Sequence, residues 1–127
     1  RVRFLGSVPH SDLAKLYNAA DASILASSRE GWPNVLLESM ACGTPVVATP
    51  VWGNREIVSE KSAGVLTRER SAEAIAEAVD RLFHALPERA ATRVFAENYS
   101  WDETSAGQIR VFENAIALHR ARNPRPA

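Results

Sequence analysis

The sequence predicts an α/β fold, with a parallel sheet of about four strands flanked by helices. Short apolar segments alternate along the chain with longer stretches in which apolar residues recur at helical spacing. One short segment, residues 45–48 (PVVA), is apolar throughout, as is typical of a parallel strand covered on both faces. The 127 residues are enough to enclose one hydrophobic core, which predicts a single domain over residues 1–122.

The chain begins with a predicted strand at residues 2–5. A helix is predicted next, over residues 11–20, with Ser11 as its N-cap and its apolar side chains on one face. A second strand is predicted at residues 22–26, where only Ser23 interrupts an apolar run. Because no turn, cap or start methionine precedes the first strand, we expect the chain to be a piece of a larger sheet.

A loop and a second helix lead from this strand to the strand at residues 45–48. The loop covers residues 27–32, and Pro33 follows it. Proline suits the first position of a helix because it has no backbone N–H to leave unpaired. The helix is predicted to end at Gly43, since glycine readily adopts the left-handed conformation that closes a helix.

The rest of the chain is mainly helical. After a loop at residues 49–54 we predict a helical turn at residues 55–58 and a short strand at residues 64–66. Three helices without intervening strands follow and are expected to wrap the sheet edge; the first and last are capped by Ser71 and Ser100, and their ranges are 71–86, 88–98 and 101–122. Residues 123–127 are predicted to be a disordered tail.

Charge and composition argue against several classes of function. The 15 Lys and Arg residues balance the 15 Asp and Glu residues, so no basic surface for nucleic acid is expected. The single cysteine, Cys42, rules out an intrachain disulfide and is typical of a reducing compartment, which favours a cytoplasmic protein. The three histidines show no spacing typical of metal ligands, so we expect no metal ion.

Two glutamates lie where a parallel sheet binds its ligands. The loops 6–10, 27–32 and 49–54 each leave the carboxyl end of a predicted strand, so they are expected to meet at one rim. Glu30 lies in the second of these loops. Glu38 follows eight positions later, on the helix that this loop begins. The pattern predicts a ligand site that contains both carboxylates.

The groups at this rim suit a nucleotide sugar. A helix N-terminus offers unpaired backbone N–H groups and the positive end of the helix dipole to a phosphate. Because Pro33 has no N–H, Asn34 and Val35 are the expected amide donors. A carboxylate only accepts hydrogen bonds, so Glu30 and Glu38 suit the hydroxyl groups of a sugar.

The sequence around these residues resembles the C-terminal domain of the retaining GT-B glycosyltransferases of family 4, also called group 1 glycosyltransferases. The E-x7-E motif of that family is matched by residues 30–48, EGWPNVLLESMACGTPVVA. The family pattern F-x-G-x-V…L-x-x-x-Y-x-x-A-D is matched from Phe4 to Asp21, and G-G-x-x-E-I-V is matched at residues 52–58, with Trp52 in place of the first glycine. Two glutamates at this spacing are common, but the full string in register over about fifty positions is specific.

The resemblance implies a Rossmann-like domain and roles for individual residues. Glu30 would be the catalytic residue, which contacts the hydroxyls of the donor sugar and sets the reacting geometry. Glu38 would hold the ribose hydroxyls, and Val8 and His10 would flank the base. The sugar and diphosphate would be bound by the backbone at Gly31, Trp32, Pro33, Asn34 and Val35. No metal ion or other cofactor is implied.

The resemblance also implies the setting of this domain. The chain would be the donor-binding portion of an enzyme that moves a sugar from a nucleoside-diphosphate sugar to a saccharide or lipid-linked acceptor, with retention of configuration. The acceptor, and an Arg and a Lys that neutralise the diphosphate, would belong to parts before Arg1, so this chain alone would be inactive. Polysaccharide biosynthesis in the cytoplasm, at times against the inner face of the membrane, is the implied context.

Alternative interpretations stay open at this point. The chain could be a non-catalytic α/β scaffold, whose exposed sheet edge would favour self-association, or a GT-B-type sugar-nucleotide epimerase, which should lack the E-x7-E string. Glu30 could be an ordinary loop acid and Glu38 a solvated helix position. Trp32 could be a packing residue or a sugar platform, whereas Trp52 and Trp101 are expected to be structural. A glycosidase pair is excluded, because its carboxylates must face each other across a cleft.

Overall fold

The structure, a computed structural model, describes residues 1–122 and shows an α/β fold with one parallel sheet. The three strands lie in the order β1–β2–β3. In chain order the elements are α1 (His10–Ala19), β1 (Ser23–Leu25), α2 (Asn34–Ala41), β2 (Val46–Ala48), α3 (Trp52–Ile57), β3 (Gly64–Leu66), α4 (Ala72–His84), α5 (Arg89–Glu97) and α6 (Trp101–Arg122). The predicted α/β fold with a parallel sheet is confirmed. The predicted tail, residues 123–127, lies outside the described residues.

The sheet is covered on both faces. Its middle strand, β2, is fully buried, and Val46 pairs with Ser23 on one side and with Gly64 on the other. One face of the sheet packs against a core that includes Leu36, Met40, Ile57 and Phe95 from α2, α3 and α5. The other face packs against Ala78 and Leu82 of α4, around Val47. These layers leave the carboxyl ends of the three strands open at one rim.

The predicted strand at residues 2–5 is wrong. This segment pairs with no strand among the described residues, and Phe4 is 94% exposed. An apolar extended segment becomes a strand only when a neighbouring strand supplies the hydrogen-bonding partners. The sheet within residues 1–122 therefore has three strands rather than about four.

Three predicted helix starts are shifted. The first helix begins at His10 after Pro9, so Ser11 lies inside the helix and does not cap it. Pro33 precedes α2 as its N-cap residue rather than occupying its first position. The third helix begins at Trp52, because the amide of Arg55 already donates to the Val51 carbonyl at 3.1 Å. The loop after β2 is therefore shorter than predicted.

Other local predictions are confirmed. Gly43 closes α2 in the left-handed region, with a φ of 76°, and its N–H donates to the Met40 carbonyl at 2.7 Å. A Cβ atom at Gly43 would also lie 2.9 Å from the Arg89 carbonyl oxygen, so the position requires glycine for space as well as for conformation. Ser71 caps α4, since its hydroxyl accepts the amide of Ala74 at 3.2 Å.

Arg89, at the start of α5, joins the C-terminal ends of α1 and α2. Its guanidinium donates to the carbonyls of Ala20 at 2.9 Å and of Asn18 and Cys42 at 3.1 Å. It also donates to the Thr44 hydroxyl at 2.9 Å, which itself donates to the Tyr17 carbonyl. Carbonyls at helix ends lack partners within the helix, and Arg89 satisfies several of them at once.

We predict that Arg89→Met lowers the free energy of unfolding by about 1–2 kcal/mol, because the methionine keeps the hydrocarbon stem but leaves these carbonyls without their donor. Urea unfolding measures the change. Arg93→Met is the matched control, since the contact of Arg93 with Glu97, one helical turn away, is exposed to solvent. Equal losses for the two variants would contradict the role of Arg89.

Among residues 1–122, no helix combines the length and the apolar character that a membrane span requires.

Candidate functional site

The loops that follow β1 and β2 are tied to each other at the rim of the sheet. The amide of Thr49 donates to the Leu25 carbonyl at 3.1 Å, which extends the ladder between the two strands. The Thr49 hydroxyl donates to the carbonyl of Ser27 at 2.6 Å. Thr49 is fully buried, so these bonds are shielded from water. The predicted meeting at the rim holds for the loops after β1 and β2, whereas residues 6–10 follow no strand within residues 1–122.

A glycine contact brings α3 against the loop that carries Glu30. A Cβ atom built at Gly53 would overlap the carbonyl oxygen of Gly31 and would lie 3.1 Å from Cδ of Pro33. Only glycine allows this approach of the two backbones. Gly53 therefore determines how closely the loop at residues 27–33 can lie on α3.

Glu30 is half-buried and lines an open cavity of about 630 Å³. The hydroxyl of Ser27 donates to Oε1 of Glu30 at 2.5 Å. A hydrogen bond from a hydroxyl to a carboxylate is short and strong, so it holds the glutamate side chain in one orientation. The cavity is lined by residues from both loops: Ser28, Arg29, Glu30, Gly31, Val51 and Trp52.

A buried side chain of α3 supports the two loops at the rim with a hydrogen bond. Asn54 of α3 is fully buried, and its Nδ2 donates to the carbonyl of Thr49 at 2.9 Å. Hydrogen bonds thus run from Asn54 to Thr49, from Thr49 to Ser27 and from Ser27 to Glu30. Oδ1 of Asn54 has no hydrogen-bond partner within residues 1–122. This series of hydrogen bonds fixes the backbone of the loop that carries Glu30.

Glu38 lies on α2, where it faces α1. Its Oε1 is 3.6 Å from Nε2 of His10, and its side chain is 35% exposed. The pKa of the Tyr17 hydroxyl is raised by burial and, to a smaller extent, by the negative charges of Glu38 and Cys42. The structure thus brings together His10 and Glu38, which the family resemblance assigns to the nucleotide, and Val8 lies half-buried two residues before His10.

In the first turn of α2, some backbone N–H groups already donate to nearby backbone carbonyls. The amide of Asn34 donates to the Trp32 carbonyl at 3.1 Å, and the amide of Leu36 donates to the Pro33 carbonyl at 3.0 Å. A phosphate bound at this helix start could accept from the Asn34 amide only if the hydrogen bond from that amide to the Trp32 carbonyl were broken. Val35, one residue further on, is the other amide donor that the sequence analysis expected.

Trp32 agrees with one of its two expected roles, whereas Trp52 and Trp101 lie differently from expectation. Trp32 contacts Tyr99, with ring centroids 5.9 Å apart, and its side chain lines a second cavity rather than that of Glu30. Trp52 and Trp101, expected to be structural, are 74% and 77% exposed, so neither ring belongs to the core. Trp52 lines the Glu30 cavity. Its place in the segment that follows β2, beyond the carboxyl end of that strand, is the sequence signal that points to this rim.

Within the described range 1–122, no group of three or more His, Cys, Asp or Glu side chains is arranged to hold a metal ion. The donor set at the rim, two carboxylates with one imidazole near Glu38, suits hydroxyl groups.

Comparison with known families shows that residues 1–99 match the family described as Glycosyl transferases group 1. The chain belongs to the group 1 glycosyltransferases. The resemblance to this family is thereby confirmed, and Glu30 and Glu38 both lie inside the matched residues.

Similar glycosyltransferases include a D-inositol 3-phosphate glycosyltransferase from Salinispora tropica, which is 40% identical over 96% of this chain and 26% of its own length. Its counterpart from Mycolicibacterium smegmatis is 35% identical over 100% of this chain and 30% of its own length. Sucrose-phosphate synthase from Thermosynechococcus elongatus has a similar structure, with a TM-score of 0.73 and 29% identity over 93% of this chain and 31% of that chain. The chain thus spans about a quarter to a third of the proteins that it matches.

Proposed function

We propose that this chain is the donor-binding portion of a retaining glycosyltransferase, which transfers a sugar from a nucleoside-diphosphate sugar to an acceptor hydroxyl. The observation that carries the proposal is the Glu30 carboxylate, held by Ser27 in an open cavity of about 630 Å³. A cavity of this size is typical of small-molecule sites. The family supports the reaction class, because the chain is a group 1 glycosyltransferase by sequence.

In this proposal the two glutamates bind different parts of the donor. Glu30 accepts hydrogen bonds from hydroxyls of the transferred sugar and orients its anomeric carbon. Glu38 accepts from the ribose hydroxyls, and Val8 and His10 flank the base. The 3.6 Å distance between His10 and Glu38 supports this arrangement. The diphosphate lies between these two parts, on the backbone of Gly31, Trp32, Pro33, Asn34 and Val35.

The reaction would be a displacement on one face of the sugar. The acceptor oxygen forms a bond to the anomeric carbon while the bond from that carbon to the diphosphate oxygen breaks. The leaving diphosphate takes the proton of the acceptor hydroxyl, so no base from the protein is needed. Glu30 contributes by holding the sugar in the reacting geometry. We propose that no metal ion takes part.

The remaining parts of the proposal concern the whole protein. An acceptor that is a saccharide or a lipid-linked sugar would be bound outside this chain, and the chain alone would be inactive. The context we propose is polysaccharide biosynthesis in the cytoplasm or at the inner face of the membrane. The named substrates of the relatives, D-inositol 3-phosphate among them, are candidates for the acceptor class.

The anomeric configuration of the product tests whether the transfer proceeds with retention. The full-length glycosyltransferase that contains this chain is incubated with UDP-, GDP- and ADP-sugars and a panel of acceptors, and the anomeric proton of the product is observed by NMR. An α-linked product from an α-linked donor is expected. A β-linked product would contradict retention, and hydrolysis without transfer would contradict the transferase assignment.

We also propose that the isolated chain self-associates. The strand β1 lies at the edge of the sheet, where Ile24 is 52% exposed, and Val2 and Phe4 leave further apolar surface open. Light scattering at high concentration is expected to give a mass above that of the monomer, and Ile24→Lys is expected to reduce it. A strictly monomeric mass for the unsubstituted chain would contradict this prediction.

A further inference from the structure

Three consecutive backbone carbonyls, those of residues 25–27, lead into the loop that carries Glu30, and each accepts a hydrogen bond from a distant part of the chain. Two of the donors are the amide and the hydroxyl of Thr49, and the third is the guanidinium of Arg70. We propose that Thr49 and Arg70 are positioning residues, which hold this loop so that the Glu30 carboxylate meets the donor sugar in one orientation. This inference rests on the proposed glycosyltransferase function.

Thr49 holds the loop from inside the protein. Its amide donates to the Leu25 carbonyl at 3.1 Å, and its hydroxyl donates to the Ser27 carbonyl at 2.6 Å. Residues 26–33 form neither a helix nor a strand, so the shape of this loop depends on bonds of this kind. Because Thr49 is fully buried, its side chain does not reach a substrate, and any effect of Thr49 on the reaction is transmitted through the loop.

The Thr49 hydroxyl is itself oriented by Asn54. Nδ2 of Asn54 lies 2.9 Å from the Thr49 carbonyl oxygen and 3.5 Å from the Thr49 hydroxyl oxygen. An amide nitrogen only donates hydrogen bonds, so the hydroxyl accepts from it and keeps its single proton for the Ser27 carbonyl. The hydrogen bond between Thr49 and Ser27 therefore has one direction.

Arg70 holds the same loop from the segment that follows β3. Its Nε donates to the Ala26 carbonyl at 2.9 Å, although the two residues are 44 positions apart. The planar guanidinium donates in fixed directions, which restrains the carbonyl more than a flexible ammonium group would. All three strands thus contribute to the position of the loop, because β1 leads into it, β2 leads to Thr49 and β3 leads to Arg70.

The loop transmits this restraint to Glu30 through Ser27. Thr49 holds the Ser27 carbonyl, and the Ser27 hydroxyl donates to Oε1 of Glu30 at 2.5 Å. A displacement of about 1 Å at a reacting centre can lower the rate about a hundredfold. Loss of the Thr49 hydroxyl would release the Ser27 backbone and, with it, the side chain that orients Glu30.

Kinetics of the full-length glycosyltransferase test the role of the Thr49 hydroxyl. Thr49→Val keeps the shape of the side chain but removes the hydroxyl, so it is expected to lower kcat about tenfold with a smaller change in KM. Thr49→Ser keeps the hydroxyl and is expected to retain most of kcat. Thr92→Val is the matched control, because Thr92 is also fully buried and its hydroxyl donates to the Ser62 carbonyl at 2.8 Å. If Thr92→Val lowers kcat as much as Thr49→Val does, the effect is a general loss of stability and the inference fails.

Arg70 allows a second test at the surface, where a substitution leaves the core intact. Arg70→Met removes the guanidinium and is expected to lower kcat about threefold, since one hydrogen bond to the loop is lost. Arg81→Met is the matched control, because Arg81 is also exposed and donates to a carbonyl outside this loop, that of Leu66, at 3.1 Å. Equal kcat values for the two variants would contradict the role of Arg70.

A double variant shows whether Thr49 acts through Glu30. Glu30→Gln alone is expected to lower kcat a hundredfold or more, and addition of Thr49→Val is expected to lower it no further. Residues that act as a unit have non-additive effects, whereas independent effects multiply. A further loss of about tenfold in the double variant would overturn the positioning role of Thr49.

The same variants separate this inference from the proposed function. If Glu30→Gln lowers kcat while Thr49→Val and Arg70→Met leave it unchanged, the donor site stands and the positioning inference is wrong. If Glu30→Gln leaves kcat unchanged, the proposed role of Glu30 fails, and the inference fails with it.

Discussion

A Glu30→Gln variant of the full-length glycosyltransferase is expected to lose a hundredfold or more in kcat, with a smaller change in KM. Glutamine keeps the size of the side chain but replaces with a neutral amide the carboxylate whose Oε1 accepts from the Ser27 hydroxyl at 2.5 Å. The amide also places two donors where a donor sugar presents hydroxyls. Loss of one preorganised polar group in a reacting centre costs about 10²–10³ in rate. Initial-rate kinetics measure the effect.

Three further variants show whether the effect belongs to the site. Glu60→Gln changes an exposed glutamate that contacts Ser62, and it is expected to leave kcat unchanged. Ser27→Ala frees the Glu30 side chain without removing its charge, so it is expected to lower kcat about tenfold, and Ser27→Thr is expected to restore it. A Glu30→Gln enzyme with normal kcat would contradict the catalytic role of this glutamate.

A Gly53→Ala variant is expected to lower the free energy of unfolding by about 3 kcal/mol and to abolish nucleotide binding. The added methyl group would overlap the carbonyl oxygen of Gly31 and would lie 2.8 Å from its carbonyl carbon. Backbone atoms cannot yield as a flexible side chain can, so the loop that carries Glu30 must move away from α3. Urea unfolding and a nucleotide titration of the same sample measure both effects.

Gly107→Ala is the matched control for this substitution. Gly107 lies inside α6, where an added Cβ atom would meet only the end of the Arg110 side chain, at 3.9 Å. Replacement of a glycine in a helix interior by alanine is expected to stabilise the protein by up to about 1 kcal/mol. If Gly53→Ala leaves the free energy of unfolding as high as Gly107→Ala does, the contact between Gly31 and Gly53 does not hold the loop that carries Glu30.

Elements with strong local signals were predicted from the sequence. The run PVVA at residues 45–48 identified the buried middle strand because a strand covered on both faces has no need for polar residues. Gly43 was recognised as the end of α2 because few other residues adopt a positive φ there. The cap at Ser71 follows from the same kind of local chemistry.

Features that depend on distant parts of the chain were not predicted. Residues 2–5 have the composition of a strand, but whether they form one depends on a neighbour that local pattern does not specify. The contacts of Arg89 with the ends of α1 and α2 join residues 71 and 47 positions apart, beyond the reach of spacing rules. The same holds for the approach of Gly53 to Gly31 and for the exposure of Trp52.

The candidate site was predicted in part, because some of its features are local and others depend on distant parts of the chain. Glu30 and Glu38 were singled out because their spacing and the surrounding string match a known family. Their partners, Ser27 for Glu30 and His10 for Glu38, were not assigned, because side-chain orientation in loops is set by tertiary contacts. The long-range contacts are what convert a recognisable motif into a defined geometry.

The most direct test of the donor site is a titration of the chain with UDP, GDP and ADP, followed by chemical shifts of the backbone amides. Shifts confined to Val8, His10 and residues 31–38, and lost in a Glu38→Ala variant, are the predicted result, and the most effective nucleotide would identify the base. Absence of shifts up to millimolar nucleotide, or shifts that Glu38→Ala leaves unchanged, would contradict the assignment of this rim to the nucleotide sugar.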